Sequence, residues 1–332
     1  MTRRATITDV ALAAGVSVST VSKVINGRYG IAVGTALRVQ TVVKELGYEP
    51  SLVARSLRSH RTHVIGILVA EFEPFSAEIL KGTAAALADT DYELLAYTGS
   101  RQSSGPGWER RSLSRLSGTL IDGAIMVTPT VVDADAGVPL VSIDPHAGPA
   151  GLPTVDADSL AGSVVATRHL IELGHRRIGF LAGRADLESS SLREAGFRQA
   201  HAEAGLEVDP DLIRIGAYRR DAARSPAIAL LSLPDRPTAV FAANDQSAMG
   251  TMDVAREMGL DVPGDLSVVG FDDIPESIRT SPALTTVHQP LQTMGAAGIT
   301  MLIALMDGAP VEQTHVRLPT SLVVRGSTAP PR

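Results

Sequence analysis

From Val64 to Phe271 the chain alternates short apolar runs with longer stretches of helical period, and this alternation constrains its fold more than any other feature. The runs are VIGILVA (64–70), ELLAY (93–97), GAIMV (123–127), PLVSI (139–143), RIGFLAG (177–183), TAVFAA (238–243) and LSVVGF (266–271). Each is too short for a buried helix and most are bounded by turn residues, so each reads as a strand. Segments of helical period start near Phe75 and Trp108 and run over 160–173, 193–204 and 246–258. Strands joined by helical crossovers form parallel sheets with helices on their faces, and two such sets predict two similar α/β lobes. Sheets of this kind bind ligands beyond the carboxyl ends of their strands. Asp144, Asn244-Asp245 and Asp272-Asp273 stand at such ends. Caps and turns use the same residue types, which is the simpler reading of Asp245 and Asp273.

Residues 8–26 have a different texture. Val10, Ala11 and Ala14 recur at helical spacing, Gly15 interrupts them, and Val21, Val24 and Ile25 resume the period. The spacing predicts two short helices joined by a tight turn, with Gly15 supplying positive φ and Ser17 capping the second helix. If Val21, Val24 and Ile25 face inward, a rotation of about 100° per residue turns Ser19, Ser22, Lys23 and Asn26 outward, with Val18 at the border. That outer face has small polar groups and one cation but no carboxylate, which suits entry into a phosphate-lined groove. A third helix is expected with Leu37, Val39, Val42, Val43 and Leu46 as its apolar face and Gly47 at its end. Beyond Pro50, residues 51–57 have helical propensity but fall short of the about 12–15 residues at which isolated helices become stable in water.

The net charge of −6 hides an asymmetry: residues 1–63 carry nine Lys/Arg against three acids, a net +6, and the remainder carries −12. A basic head on an acidic body confines phosphate contact to the head. Cysteine is absent, which excludes disulfides, thiolate catalysis and cysteine–zinc sites. No G-x-G-x-x-G, G-x-x-x-x-G-K-[ST], H-E-x-x-H or G-x-S-x-G motif occurs, so no enzyme, cofactor or metal site is expected. The basic start is followed by no long apolar run, which predicts neither a signal peptide nor a membrane span, and a cytoplasmic protein.

TITDVALAAGVSVSTVSKVING, KELGYEP and VARSL closely resemble the head and hinge of the LacI/GalR (lactose-repressor) family of bacterial transcription regulators. GHRRIGFLAG, LREAGF, PTAVFAANDQSAMG, GLDVPGDLSVVGFDD and SPALTTVHQP resemble its body. The resemblance implies an N-terminal all-α helix-turn-helix head with a hinge helix, followed by an α/β periplasmic-binding-protein-like (type I) body of two Rossmann-like lobes. The divisions expected are a head over 1–50, hinge and connector over 51–63, one lobe of 64–159 plus 289–318, another of 160–288 plus 319–327, and a tail of 328–332. The implied function is that of a cytoplasmic homodimeric repressor on palindromic operator DNA, controlled by a small molecule, most simply a sugar, between the lobes. A solute-binding protein of the same body fold would not need the head.

Carried onto this chain, the family's base-reading positions are Val18, Ser19 and Lys23, and its phosphate contacts are Thr6, Ser17, Thr20, Ser22, Asn26 and Thr35. Its minor-groove hinge corresponds to Ala54, Arg55 and Leu57, with Leu57 the apolar wedge that kinks the duplex. Its effector contacts correspond to Asp144, Arg193, Asn244 and Asp272, and Phe75 is the expected aromatic wall, with Tyr218, Phe241 and Phe72 as further candidates. Three departures stand out. Ala32-Val33-Gly34 replaces the capping Ser and acidic residues before the third helix, which predicts a start at Thr35. Glu73-Pro74 replaces Asn-Pro and Ser76 replaces a second aromatic, which predicts a thinner aromatic wall, open to a pentose, a larger saccharide or a ligand that is not a sugar. His146 and Pro145, beside Asp144, are candidates to shape the pocket, although a loop histidine is more often solvated, and a tail without leucine heptads implies a dimer rather than a tetramer.

Overall fold

The computed structural model describes residues 5–25, 27, 29–48, 61–99, 107–130, 137–149 and 151–332. Asn26 and the hinge residues Ala54, Arg55 and Leu57 lie outside the described residues. The chain divides into two compact units, Met1–Thr62 and His63–Arg332.

The first unit is built on α1 (Ile7–Ala14), α2 (Val18–Ile25) and α3 (Val33–Glu45). Thr6 and Asp9 form a capping box at α1: the Asp9 amide donates to Thr6 Oγ1 at 3.3 Å and the Thr6 amide to Asp9 Oδ2 at 2.9 Å. Gly15, at φ +65°, ends α1 in the left-handed region, as the tight turn requires. Ser17 Oγ accepts the Thr20 amide at 3.1 Å, so it caps α2 as expected. Val10, Ala11, Ala14, Val21 and Val39 form the core, and Arg38 Nε donates to the Ala14 carbonyl at 3.0 Å, tying α3 to α1.

The sequence expectation for α3 needs two corrections. The helix starts at Val33 rather than Thr35, with Ala32 as a cap that makes no side-chain bond but whose carbonyl accepts the Thr35 and Ala36 amides. Its first turn is exposed, so water serves the free amides and no capping side chain is needed. Leu37 and Leu46 are also exposed, because a three-helix unit this small has core space only for the stripe of Val39, Val42 and Val43.

The second unit holds two six-stranded sheets. The first contains β1 (Val64–Val69), β2 (Glu93–Thr98), β3 (Gly123–Val127), β4 (Leu140–Ile143), β5 (Thr154–Ala157) and β11 (His315–Leu318), in the order β11-β5-β4-β3-β1-β2. The second contains β6 (Ile178–Ala182), β7 (Ile213–Ile215), β8 (Ala239–Ala242), β9 (Ser267–Asp272), β10 (Thr285–His288) and β12 (Ser321–Val323), in the order β12-β10-β9-β8-β6-β7. All pairings are parallel except that of β12 with β10. The chain therefore passes between the sheets three times, after β5, β10 and β11.

The crossover helices are α4 (Pro74–Leu87), α5 (Trp108–Leu116), α6 (Ser159–Glu172), α7 (Glu188–Glu203), α8 (Arg224–Leu231), α9 (Asp245–Glu257) and α10 (Leu291–Met306). Helix α10 packs on α4 so closely that a Cβ on Gly82 would meet the Gln292 carbonyl oxygen at 1.9 Å, and one on Gly295 the Ile79 carbonyl oxygen at 2.3 Å. The last residues are not a free tail. Ser267 Oγ donates to the Ala329 carbonyl at 3.0 Å, His175 Nε2 lies 2.9 Å from the same oxygen, and Arg332 lies 3.2 Å from Asp265. Among the described residues no single helix is long and apolar enough to cross a membrane.

Candidate effector cleft and DNA-facing helix

A cleft of about 360 Å³ opens between the carboxyl ends of the two sheets. Its residues come from strand ends and from the first turns of helices, because a parallel sheet brings those two kinds of terminus to one edge. Thr128, Asp144, Ala217, Tyr218 and Asp272 all line it with positive φ, between 47° and 110°. Such backbone costs on the order of 1–3 kcal/mol per residue and persists where surrounding structure imposes it, typically at functional sites.

Arg193 on α7 is the centre of the cleft, and only 3% of it is exposed. Its Nη1 donates to the Ala243 carbonyl at 2.6 Å and lies 3.5 Å from Asp272 Oδ1. The guanidinium also sits 3.9 Å from the Phe271 ring centroid and 5.4 Å from that of Tyr218, within cation–π range. Asp272 Oδ1 accepts from Gln289 Nε2 at 2.7 Å. Burial pushes Asp272 up to about 7 and Asp144 up to about 6, outweighing the attraction of Arg193 that both carboxyls feel. Two carboxyl groups thus share one buried cation near their own titration points, able to accept from or donate to ligand hydroxyls.

Asn244 caps α9: its Oδ1 accepts the Ser247 amide at 2.9 Å while Nδ2 donates to the Tyr218 carbonyl at 3.0 Å. One N–H and one lone pair remain for a ligand. The Tyr218 ring lies directly on Gly183, where a Cβ would fall 2.1 Å from the ring carbon Cζ. Ser189 stands near the buried Tyr218 hydroxyl, but not in a geometry that makes a hydrogen bond. Gly183→Ala is therefore expected to displace Tyr218 and weaken effector binding at least tenfold, with the melting temperature of the unliganded body nearly unchanged. Isothermal titration of both proteins checks this, and equal affinities would show that Tyr218 does not hold the ligand.

Of the expected effector residues, Phe75, Asp144, Arg193, Tyr218, Asn244 and Asp272 meet in this cleft. Phe241 does not. Its side chain is fully buried in the second lobe's core, 5.4 Å from the Phe180 ring, on the opposite face of β8 from Val240 and Ala242. Phe72 lies outside as well, over half exposed on an adjoining groove. The aromatic wall is fuller than the sequence predicted, since Trp108 joins Phe75 and Tyr218, while Ser76 occupies the wall beside them.

His146 is buried rather than solvated: its carbonyl accepts the Glu188 amide at 2.8 Å and its Nδ1 lies 3.5 Å from Asp186. Burial lowers its pKa, which favours the neutral ring. Trp108, Thr128, Thr130, Arg184 and Ser189 are cleft residues that sequence reasoning missed. Arg184 and Ser189 follow β6, so the rule of carboxyl strand ends could have found them. Asp245 and Asp273 are structural. Asp245 accepts the Ile274 amide at 2.9 Å, and Asp273 binds His288 at 3.0 Å and Arg325.

Acidic groups outnumber basic ones in the cleft, where Glu71, Glu73, Asp144 and Asp272 stand beside Arg184, Arg193 and Arg219. Arg184 forks onto Asp186 at 3.0 and 2.6 Å, Arg193 faces Asp272, and Arg219 lies between Asp221 at 3.2 Å and Glu71 at 3.4 Å. Each arginine that lines the cleft already has a carboxylate.

On the head, Val18, Ser19 and Lys23 are exposed on α2, which carries no acidic residue in its first turn. Thr6 and Ser17 serve as caps, and Thr20 Oγ1 lies 2.9 Å from Ser17 Oγ. Ser22 is half-buried on α2, and Thr35 lies in the first turn of α3.

Residues 6–51 match the bacterial regulatory proteins of the lacI family, and residues 167–328 match the periplasmic binding protein-like domain. The chain is 36% identical to the HTH-type transcriptional regulator CelR of Thermobifida fusca, over 98% of each chain. It is 34% identical to the ribose operon repressor of Escherichia coli K12, over 97% of this chain and 99% of that protein. It superposes on the lac repressor dimer bound to operator and the anti-inducer ONPF with a TM-score of 0.85, at 29% identity, covering 98% of this chain and all of that one. A helix-turn-helix head, a two-sheet body with a polar cleft between the sheets, and identity along nearly the whole length agree: the chain belongs to the lacI family of bacterial regulatory proteins, which are transcription regulators rather than enzymes.

Proposed function

We propose that this protein is a homodimeric repressor, acting in the cytoplasm, whose grip on a palindromic operator is set by an uncharged sugar bound between its lobes. The observation that carries the reading is the aromatic-lined cleft around Arg193, in which every arginine is already paired with a carboxylate. It offers two carboxyls, an amide and three aromatic rings but no unpaired arginine for a phosphate or carboxylate. Hydroxyl groups suit the carboxyls and the amide, and the apolar face of a sugar ring suits Phe75, Trp108 and Tyr218. A relative is named for the ribose operon, and a structural neighbour is a dimer on its operator. In this reading Val18, Ser19 and Lys23 read bases, Thr6, Ser17, Thr20, Ser22, Asn26 and Thr35 contact phosphates, and Ala54, Arg55 and Leu57 occupy the minor groove. The lobes are residues 64–159 with 289–318, and 160–288 with 319–327.

Regulation is linkage: a ligand that binds one lobe arrangement better shifts the dimer towards it, and operator and ligand change each other's affinity by the same factor. Gel shifts on the promoter beside the gene test the first half, and failure to distinguish a palindrome from scrambled DNA would overturn it. Leu57→Ala is expected to weaken operator binding more than non-specific binding, because a wedge acts only where the duplex kinks. Equal losses on both DNAs would remove the wedge. A thermal-shift screen of sugars and nucleobases tests the second half, since a ligand of the native state raises the melting temperature.

A further inference from the structure

The effector cleft shares part of its lining with a second groove. Glu71, Glu73, Tyr218 and Arg219 line both the cleft and this groove of about 500 Å³. Among these shared residues Glu71 and Arg219 pair at 3.4 Å, with both side chains more than half exposed. An exposed pair of this kind contributes little to stability, so a ligand displaces it at little cost.

The outer groove has its own recognition chemistry. Phe72 stands at it 55% exposed, a large aromatic face with no burial to account for it. Around it lie Arg220, bound to Asp253 at 2.7 Å, Arg224, bound to Glu257 at 2.6 Å, and Gln246, with Pro74 completing an apolar edge. These guanidiniums are each paired with a carboxylate yet keep further N–H groups, so the groove offers donors and acceptors but no unpaired arginine. An aromatic platform bordered by such hydrogen-bonding groups matches a pyranose or furanose ring, apolar on its face and hydroxylated on its rim. The inner cleft and the outer groove share four lining residues, so they adjoin, as the sites of two linked rings must.

We infer that the outer groove is a second sugar subsite, with Phe72 as its platform, and that the effector is a disaccharide or longer oligosaccharide rather than a monosaccharide. This rests on the sugar reading of the inner cleft and specifies its ligand class. Phe72 then selects for chain length: a single sugar fills the cleft and leaves the groove to water, whereas a disaccharide displaces that water and the Glu71–Arg219 contact.

Isothermal titration of the full-length protein with glucose, xylose and ribose, and with cellobiose, maltose and xylobiose, tests it alongside Phe72→Ala. One disaccharide should bind at least tenfold tighter than its component monosaccharide. Phe72→Ala should cut that disaccharide's affinity at least tenfold, leave the monosaccharide's within twofold, and leave the melting temperature of the free protein unchanged, since the side chain is exposed. A monosaccharide that binds as tightly as any disaccharide overturns the outer subsite but leaves the sugar reading standing. So does a disaccharide whose affinity ignores Phe72→Ala, or a variant that loses both ligands alike. If none of the six sugars binds, the sugar reading and this inference are both overturned.

Discussion

Arg193→Ala is expected to abolish the effector response and to lower the melting temperature of the body by on the order of 10 °C at pH 8. Arg193 is the buried cation that faces both Asp272 and Asp144. Removing one member of a buried charged cluster costs about 3–5 kcal/mol, because the remaining charges stay desolvated without a partner. Each kcal/mol shifts the melting temperature of a domain of 150–250 residues by roughly 2–4 °C.

The deficit should depend on pH. Both carboxyls already have folded-state values above their ordinary 3.8, about 7 and about 6, so the folded protein holds these protons more tightly than the unfolded chain. Their contribution to stability is therefore greatest below about pH 4 and falls as pH rises towards 7. Without Arg193 both values move higher still. The variant should lie furthest below the parent above pH 7 and approach it near pH 5, where protonation removes the unpaired charge. Calorimetric melts at pH 8 and pH 5 check this, and a deficit that does not change with pH would mean that Arg193 acts by packing alone. Arg193→Lys, which keeps the charge but loses the fork, should retain most of the stability and still lose the effector response.

Val39→Asp is expected to reduce operator binding to the non-specific level while the body melts and binds effector as before. Val39 belongs to a core of five fully buried side chains that serves all three head helices. A carboxylate there has no partner, and burying one unpaired costs several kcal/mol. A unit of about 60 residues has little stability to lose. Specific binding typically exceeds non-specific binding by 10³ or more, so the loss is large. Leu37→Asp supplies the control, since Leu37 lies on the same helix but is 59% exposed, and the head's melting transition should survive it. If both variants fold the head, or neither does, the assignment of the core stripe is wrong. Melting followed by circular dichroism on the full chain, with fluorescence anisotropy on the operator, gives both readouts.

Much of this was legible in the sequence because it is written in local chemistry. The helix-turn-helix follows from the period of Val10, Ala11, Ala14 and Val21, the break at Gly15 and the cap at Ser17, all within one span of fewer than twenty residues. The seven strands of the body that were read from apolar runs are all present, and Asp144, Asn244 and Asp272 stand at strand ends where the α/β rule places ligand contacts. The strands of β5, β7, β10, β11 and β12 were missed, since each is only three or four residues long and its polar side chains leave no apolar run of the kind read for the others. Helix α10 was missed for another reason: it is apolar on most sides, and its glycines answer to α4, two hundred residues earlier in the chain.

Phe241 marks the boundary between what the sequence by itself determined and what the tertiary structure decided. A strand buried on both faces carries no sign of which face is core and which is cleft, so Phe241 and its neighbours looked equivalent until the sheet was packed. Trp108 and His146 are the converse cases, one on an amphipathic helix and one in a loop, whose place in the site depends on residues far off in sequence. The sequence by itself determined the kind of elements, the charge of the head and the polar residues available at strand ends, because each depends on neighbours along the chain. Only the tertiary structure decided which of them meet, that each cleft arginine has a carboxylate, and that Glu71 and Arg219 line both the cleft and the adjoining groove. Those are relations between two lobes assembled by three crossings of the chain, and no local stretch contains them.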